Sequence, residues 1–239
     1  MIVTIHQPEH LPCLGFFNKM AKADVFVILD SVQYRKNYFQ NRNKIIGSNG
    51  VQFVSIPVKT KGHMDTDIAH TEISTMGGNA KWKEKYLRTI KMSYGKHPFF
   101  KEVYDIIEQS ILLDTILLCD INIAMIKAFA EKLYIYTKFI RSSELDIDAA
   151  KSDLIYAICA KLNADTYIAG PYGREYLNVD DFTNNGIKVV YNDYNHPIYC
   201  QRKTKEFISH LSAVDLFMNC GWEESKKIIM DGNESVSFK

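Results

Sequence analysis

At 239 residues, 46 % hydrophobic and 24 % charged, the chain has enough apolar material for a sizeable buried core, which excludes a wholly disordered protein. Its 29 Lys and Arg against 28 Asp and Glu leave a net charge of +1, so no global field gathers nucleic acid or an acidic membrane. The 5 cysteines are widely spaced and form no CxxC pair, which argues against a zinc site or a disulfide framework and fits reduced thiols in a cytoplasmic protein.

The chain enters directly into IVTIH (2–6), a β-branched run without polar alternation, as expected of a strand buried on both faces, so no signal peptide is expected. Pro8 and Pro12 delay any helix to about residue 13, after which Leu14, Phe17, Met20 and Ala21 recur at helical spacing. Asp24 opens a second apolar run, VFVIL, ending at Asp30. Strand, crossover helix and strand predict a parallel pair. KII (44–46) and VQFVSIPV (51–58) flank Gly47-Ser48-Asn49-Gly50, where Asn-Gly signals a hairpin. Residues 59–78 read as loop, with a short strand near Ile68 to Ile73.

A helical stretch follows at about 79–94, 98–112 and 114–134. The apolar run at 111–130 is interrupted by Asp114, Asp120 and Lys127, so it is a buried helix and not a membrane span. Lys138 to Arg141 predicts a strand, 149–162 a helix, ADTYIAG (164–170) and IKVVYND (187–193) further strands. SAVDLFMNCGW (212–222) predicts a closing helix ended by Gly221, and DGNESVSFK a frayed tail. The fold expected is α/β: an open, mostly parallel, Rossmann-like sheet with a β-hairpin and a helical insertion at about 79–136, all within one domain over 1–239.

In open parallel sheets ligands bind beyond the carboxyl ends of the strands. His6 and Gln7 follow the first strand, Asp30 and Gln33 the second, and Gly170-Pro171-Tyr172-Gly173-Arg174 a later one; the three loops converge if those strands are neighbours. In His6-Gln7-Pro8-Glu9-His10, Pro8 prevents the two histidines from sharing a helix face as metal ligands, leaving a structural role or acid–base and substrate contact for His6. Residues 1–61 carry eight Lys or Arg against three acids. Within DSVQYRKNYFQNRNKI (30–45), Lys36 and Arg42 suit phosphate oxygens, while Gln33, Asn37, Asn41 and Asn43 suit sugar hydroxyls or a base edge. The alternative there is a solvated polar loop. Glycines at 170 and 173 permit close approach to a ligand, and Arg174 is an anion anchor or a surface ion pair. Cys13 has no base marked beside it and reads as a buried thiol.

Together QPEHLPCLGFF (7–17), ADVFVILDSVQYRKN (23–37), NRNKI (41–45), ADTYIAGPYGREYL (164–177), HPIYCQ (196–201) and LSAVDLFMNCG (211–221) resemble the WbqC-like family of bacterial proteins, nearly end to end. The matched positions include Gln7, Pro8, Asp30, Gln33, Asn41, Arg42, Asn43, Gly170 and Tyr176. His10 stands where the family usually has an aromatic, and Cys13 where Trp is frequent, which counts against both as shared catalytic groups. Family members are commonly encoded among genes for O-antigen lipopolysaccharide and other surface polysaccharides. The resemblance therefore implies acyl or aminoacyl (for example glycyl) transfer to a nucleotide-linked amino sugar, from an acyl donor that is free or bound to a carrier protein. Under that reading His6 or Asp30 is the base, Gln33, Asn41 or Asn43 are donors for the oxyanion, Lys36 and Arg42 clamp the diphosphate, and Tyr172, Arg174 and Tyr176 are further substrate contacts. A fold-level likeness to nucleotidylyltransferases gives the alternative, an ATP-dependent ligase using ATP with Mg²⁺, although Gly15 breaks the HxGH spacing. A non-catalytic sugar-nucleotide-binding partner is a third reading.

Overall fold

A computed structural model describes residues 1–59, 65–202 and 204–231. Five strands form an all-parallel sheet in the order β5-β2-β1-β6-β7: β1 (Ile2–His6) at the centre, β2 (Val25–Ile28) and β6 (Thr166–Ala169) beside it, β5 (Lys138–Arg141) and β7 (Lys188–Tyr191) outside. Register pairs Val3 with Val25, His6 with Ile28 and Thr4 with Ile168. The missing polar alternation has its reason in the layers, since both faces of the sheet are covered. Val3, Ile5, Val25 and Val27 pack with Leu154, Ile155 and Ile158 of α5 (Lys151–Lys161) and with Phe182 of α6 (Val179–Thr183). Phe26 and Ile28 face the opposite core. That core holds Leu14, Phe17 and Met20 of α1 (Leu14–Ala21), Phe129 of α4 (Leu118–Lys132) and Phe217 of α7 (Ala213–Asp231).

The hairpin, β3 (Arg42–Gly47) with β4 (Gly50–Ser55), stands apart as a two-stranded sheet against α2 (Trp82–Tyr94). Its register pairs Gly47 with Gly50, so the turn is Ser48-Asn49 and Gly50 follows it at φ +100°. The second strand stops at Ser55, short of the expected residue 58, because Pro57 has no N–H for the ladder; Val58 instead bridges Ile73 alone. The strand expected near 68–73 is reduced to isolated bridges, Val58 to Ile73 and Glu72 to Leu117. The helical stretch consists of α2, α3 (Phe100–Ile111) and α4, and no helix among the described residues is long and apolar enough to cross a membrane.

The closing helix does not end at Gly221. It kinks there, at φ +71° and ψ 179°, and runs on to Asp231 because Trp222, Ser225 and Ile229 are again buried. A Cβ at this position would sit 2.7 Å from the Phe99 ring. The frayed tail expected beyond Asp231 lies outside the described residues. Also unforeseen were α6 and the 3₁₀ turn at Pro171–Glu175.

A buried polar knot ties the hairpin to α2 and α7. Ile46 N–H donates to the Tyr94 hydroxyl (3.1 Å), while Tyr94 and Tyr199 each donate to Asp215 at 3.0 Å. Burial pushes the Asp215 carboxyl up to about 6, against the pull of these donors. The folded chain thus holds this proton more tightly than the unfolded chain, and the resulting stabilisation is complete at low pH and is lost as pH rises through about 6. Urea unfolding should therefore show wild type losing about 2–3 kcal/mol relative to Asp215→Asn between pH 4 and 7. Gly221→Ala should lower stability by about 1–3 kcal/mol, from both the left-handed backbone and the Phe99 contact.

Candidate functional site

Because all five strands are parallel, their carboxyl ends share one edge. The chain leaves β1 through α1 toward β2 on one side and leaves β6 through α6 toward β7 on the other, so the ends of β1 and β6 flank the point where the winding reverses. Sheets of this kind open a ligand crevice there. His6 closes β1, Asp30 lies just beyond β2, and Gly170 follows β6.

His6 places Nδ1 3.0 Å from the Gln7 carbonyl, which can only accept. The ring proton therefore resides on Nδ1, and Nε2 carries the open lone pair. The ring edge packs on Phe16, with centroids 4.9 Å apart. Nε2 faces Glu9 Oε1 across 4.0 Å. Beneath them Lys19 of α1, almost wholly buried, donates to the Ile5 carbonyl at 3.0 Å. Burial, helped by the Lys19 charge, holds the His6 imidazole neutral, far below its ordinary value. Burial pushes Glu9 up to about 7 while Lys19 opposes it, and brings Lys19 down to about 8 while Glu9 opposes that. Cys13 is pushed up to about 11 by burial and by Glu9, so it is a thiol at neutral pH and no ready nucleophile.

The loop after β1 is locked to the 30–45 segment. Gln40 Nε2 donates to Gln7 Oε1 (2.8 Å), and Asn43 Nδ2 donates to the carbonyls of His10 and Leu11 (3.1 and 2.8 Å). Asn122 of α4 donates to the carbonyls of Pro8 (2.9 Å) and Gln40 (2.7 Å), which leaves its Oδ1 to accept from His10 Nδ1 at 2.9 Å. His10 Nε2 must then accept the Tyr86 hydroxyl, 2.7 Å away. Both His10 nitrogens are engaged and the residue is fully buried, so it cannot share a metal ion with His6.

Beside this lock a cleft of about 310 Å³ is lined by Tyr34, Lys36, Asn37, Asn41, Arg42, Ser55, Pro57 and Val58. Four of its eight walls are residues singled out from the sequence. Arg42 donates to the Asn37 carbonyl (2.6 Å), lies 4.4 Å over the Phe53 ring, and keeps a buried Nε–H without a partner. Asn41 Nδ2 is held by the Ile56 carbonyl at 2.8 Å. A larger cleft, about 430 Å³, lies at the opposite sheet edge around Asp24, Tyr136 and Lys226, away from every expected site residue.

The WbqC-like protein family model matches residues 7–227. The chain belongs to the WbqC-like family. It is 28 % identical over 222 residues to the uncharacterized protein Rv1507c of Mycobacterium tuberculosis, covering 92 % of this chain and 94 % of that one. No solved structure matches it.

Other expected residues of this WbqC-like protein are held in ways that leave less room for chemistry. Asp30 is 0 % exposed and accepts from Arg141 Nε (2.6 Å), Ser142 Oγ (3.1 Å), Ser143 N–H (2.9 Å) and Ser143 Oγ (3.0 Å). A carboxylate with four donors and no open face joins the ends of β2 and β5 and reaches no solute. Asn43 is likewise buried as a clamp, and Gln33 pairs with Asp67 through a bridge. Arg174 grips Asp193 through two 2.7 Å bonds and stacks 4.1 Å over Tyr191, the surface ion pair of the two sequence readings. Gly170 has open space where a Cβ would be; Gly173 is the tight one, against Leu177, Ala169 and Tyr191. Tyr172 is exposed and Tyr176 receives a hydrogen bond from buried Tyr167. Sequence reasoning passed over Glu9 and Lys19 as site residues. Glu9 was visible three residues after His6, but only the fold reveals its burial.

His10→Ala should cost about 2–4 kcal/mol in chemical denaturation, since it strands the Asn122 and Tyr86 polar groups in the core.

Proposed function

We propose that this protein is a cytoplasmic enzyme of bacterial surface-polysaccharide assembly that acylates or aminoacylates the amino group of a nucleotide-linked amino sugar. The observation that carries the reading is the Gln7–Gln40 lock. It ties the loop that carries the neutral His6 Nε2 at the winding reversal to the segment whose Lys36, Asn37, Asn41 and Arg42 line a cationic cleft. Amide formation needs an acceptor for the amine proton and cations for the diphosphate. Glu9, pushed up to about 7 by burial, supplies the first, with the neutral His6 Nε2 4.0 Å away as a hydrogen-bond acceptor that orients the amine; Lys36 and Arg42 supply the second, with Asn37 and Asn41 beside them for hydroxyl groups. Family membership supports the polysaccharide setting, and Asp30 serves as the strut that orders the β2 and β5 ends.

Thermal-shift measurements with UDP- and dTDP-linked amino sugars test this. Stabilisation of several degrees is expected, lost in Arg42→Ala and kept in Cys13→Ala. Stabilisation by ATP with Mg²⁺ and by no sugar nucleotide would replace the reading with an ATP-dependent ligase.

A further inference from the structure

The outer face of the hairpin runs straight into the cationic cleft. Register pairs Arg42 with Ser55 and Lys44 with Phe53, so these four share one face, while Asn43, Ile45 and Val54 are buried on the other. Arg42 and Ser55 line the cleft. Phe53 stands two residues before Ser55, about 7 Å along the strand. It is left 45 % exposed. The Arg42 guanidinium lies 4.4 Å over one face of its ring, so the exposure belongs to the other face and the ring edge.

The charge in this cleft is not balanced from within the chain. No Asp or Glu occurs in residues 31–64. Among the described residues no carboxylate pairs with Lys36 or Arg42. Arg42 spends Nη2 on the Asn37 carbonyl and keeps a buried Nε–H without a partner. A guanidinium held by one carbonyl and one aromatic ring calls for an anion.

A diphosphate alone covers none of the exposed Phe53 ring. Sugar hydroxyls need hydrogen-bond partners, and those lie inside the cleft, on Asn37 and Asn41. The hairpin face next to Phe53 offers Val51 instead, 46 % exposed. Two apolar side chains side by side suit a planar ring whose faces need no hydrogen bonds. We propose, resting on the reading of the cleft as a diphosphate site, that Phe53 is the stacking platform for the base of a nucleotide. The cleft then recognises a nucleoside diphosphate, and neither a bare diphosphate nor a sugar phosphate. The phosphates meet Lys36 and Arg42, and the ribose bridges from Ser55 to the ring. Stacking tolerates any base, because every base has a π-face, so the choice among uracil, thymine and adenine falls to other groups.

Isothermal titration calorimetry with UDP, ATP with Mg²⁺, inorganic pyrophosphate and glucose 1-phosphate, on wild type, Phe53→Ala and Phe53→Leu, tests this. UDP should bind about tenfold or more tighter than pyrophosphate, and both substitutions should erase that advantage while leaving pyrophosphate affinity unchanged. Phe53→Leu keeps an apolar cover beside Arg42 and removes only the aromatic face. Equal wild-type affinities for UDP and pyrophosphate, a UDP advantage that survives Phe53→Leu, or the same Phe53 dependence for glucose 1-phosphate overturns the platform. Pyrophosphate affinity that falls in step with UDP overturns it too, since Phe53 then only positions Arg42. Binding of ATP with the Phe53 dependence, and of UDP not at all, keeps the platform and overturns the sugar-nucleotide reading. Wild type that binds none of the phosphates overturns the diphosphate reading and the platform together.

Discussion

Much of the candidate site hangs on the side chain of Asn122. From the middle of α4 it donates to the carbonyls of Pro8 and Gln40 and accepts the His10 ring proton, in a place where water does not reach. The two carbonyls belong to loops some thirty residues apart, one leaving β1 and the other entering the hairpin. A proline-rich loop has few donors to organise itself, so its shape comes from a partner outside it. With Asn122 in place, His10 has one tautomer, Asn43 meets the His10 and Leu11 carbonyls, and Gln40 meets Gln7.

The helices between the hairpin and β5 thus brace the site, and their packing is what fixes it. Tyr86 of α2 completes the His10 pair, and Tyr94 of the same helix holds the hairpin through Ile46. The cleft lined by Lys36, Asn41 and Arg42 is formed on that hairpin and the loop before it. Its position relative to His6 is set by buried hydrogen bonds, which keep a geometry fixed better than exposed ones do.

The two histidines of the β1 loop show how far local sequence carries. Four residues apart on either side of Pro8, they could not share a helix face, and the argument against a joint metal site rests on proline chemistry alone. Which of the two was open to solvent was not legible, because burial of His10 comes from α2 and α4, some eighty and one hundred and ten residues away. Lys36, Asn37, Asn41 and Arg42 were readable as a donor-rich stretch and do line one cleft. Asp30 and Arg174 carried the same kind of signal. Their partners, Ser142–Ser143 with Arg141 and Asp193, were invisible until the strand ends met.

Sequence alone determined the elements whose cause is local: the uninterrupted apolar strands, the parallel pairing forced by a crossover helix, the hairpin, and the family to which the chain belongs. It misjudged the end of α7, because a glycine marks a left-handed backbone but not whether packing beyond it renews the helix. Tertiary structure decided the protonation of the site. His6, Glu9, Lys19 and Cys13 have ordinary ionisation as isolated residues, and only their common burial at the end of β1 makes the imidazole neutral, the carboxyl proton-holding and the thiol inert. Desolvation depends on everything that surrounds a group, and no run of neighbouring letters encodes that.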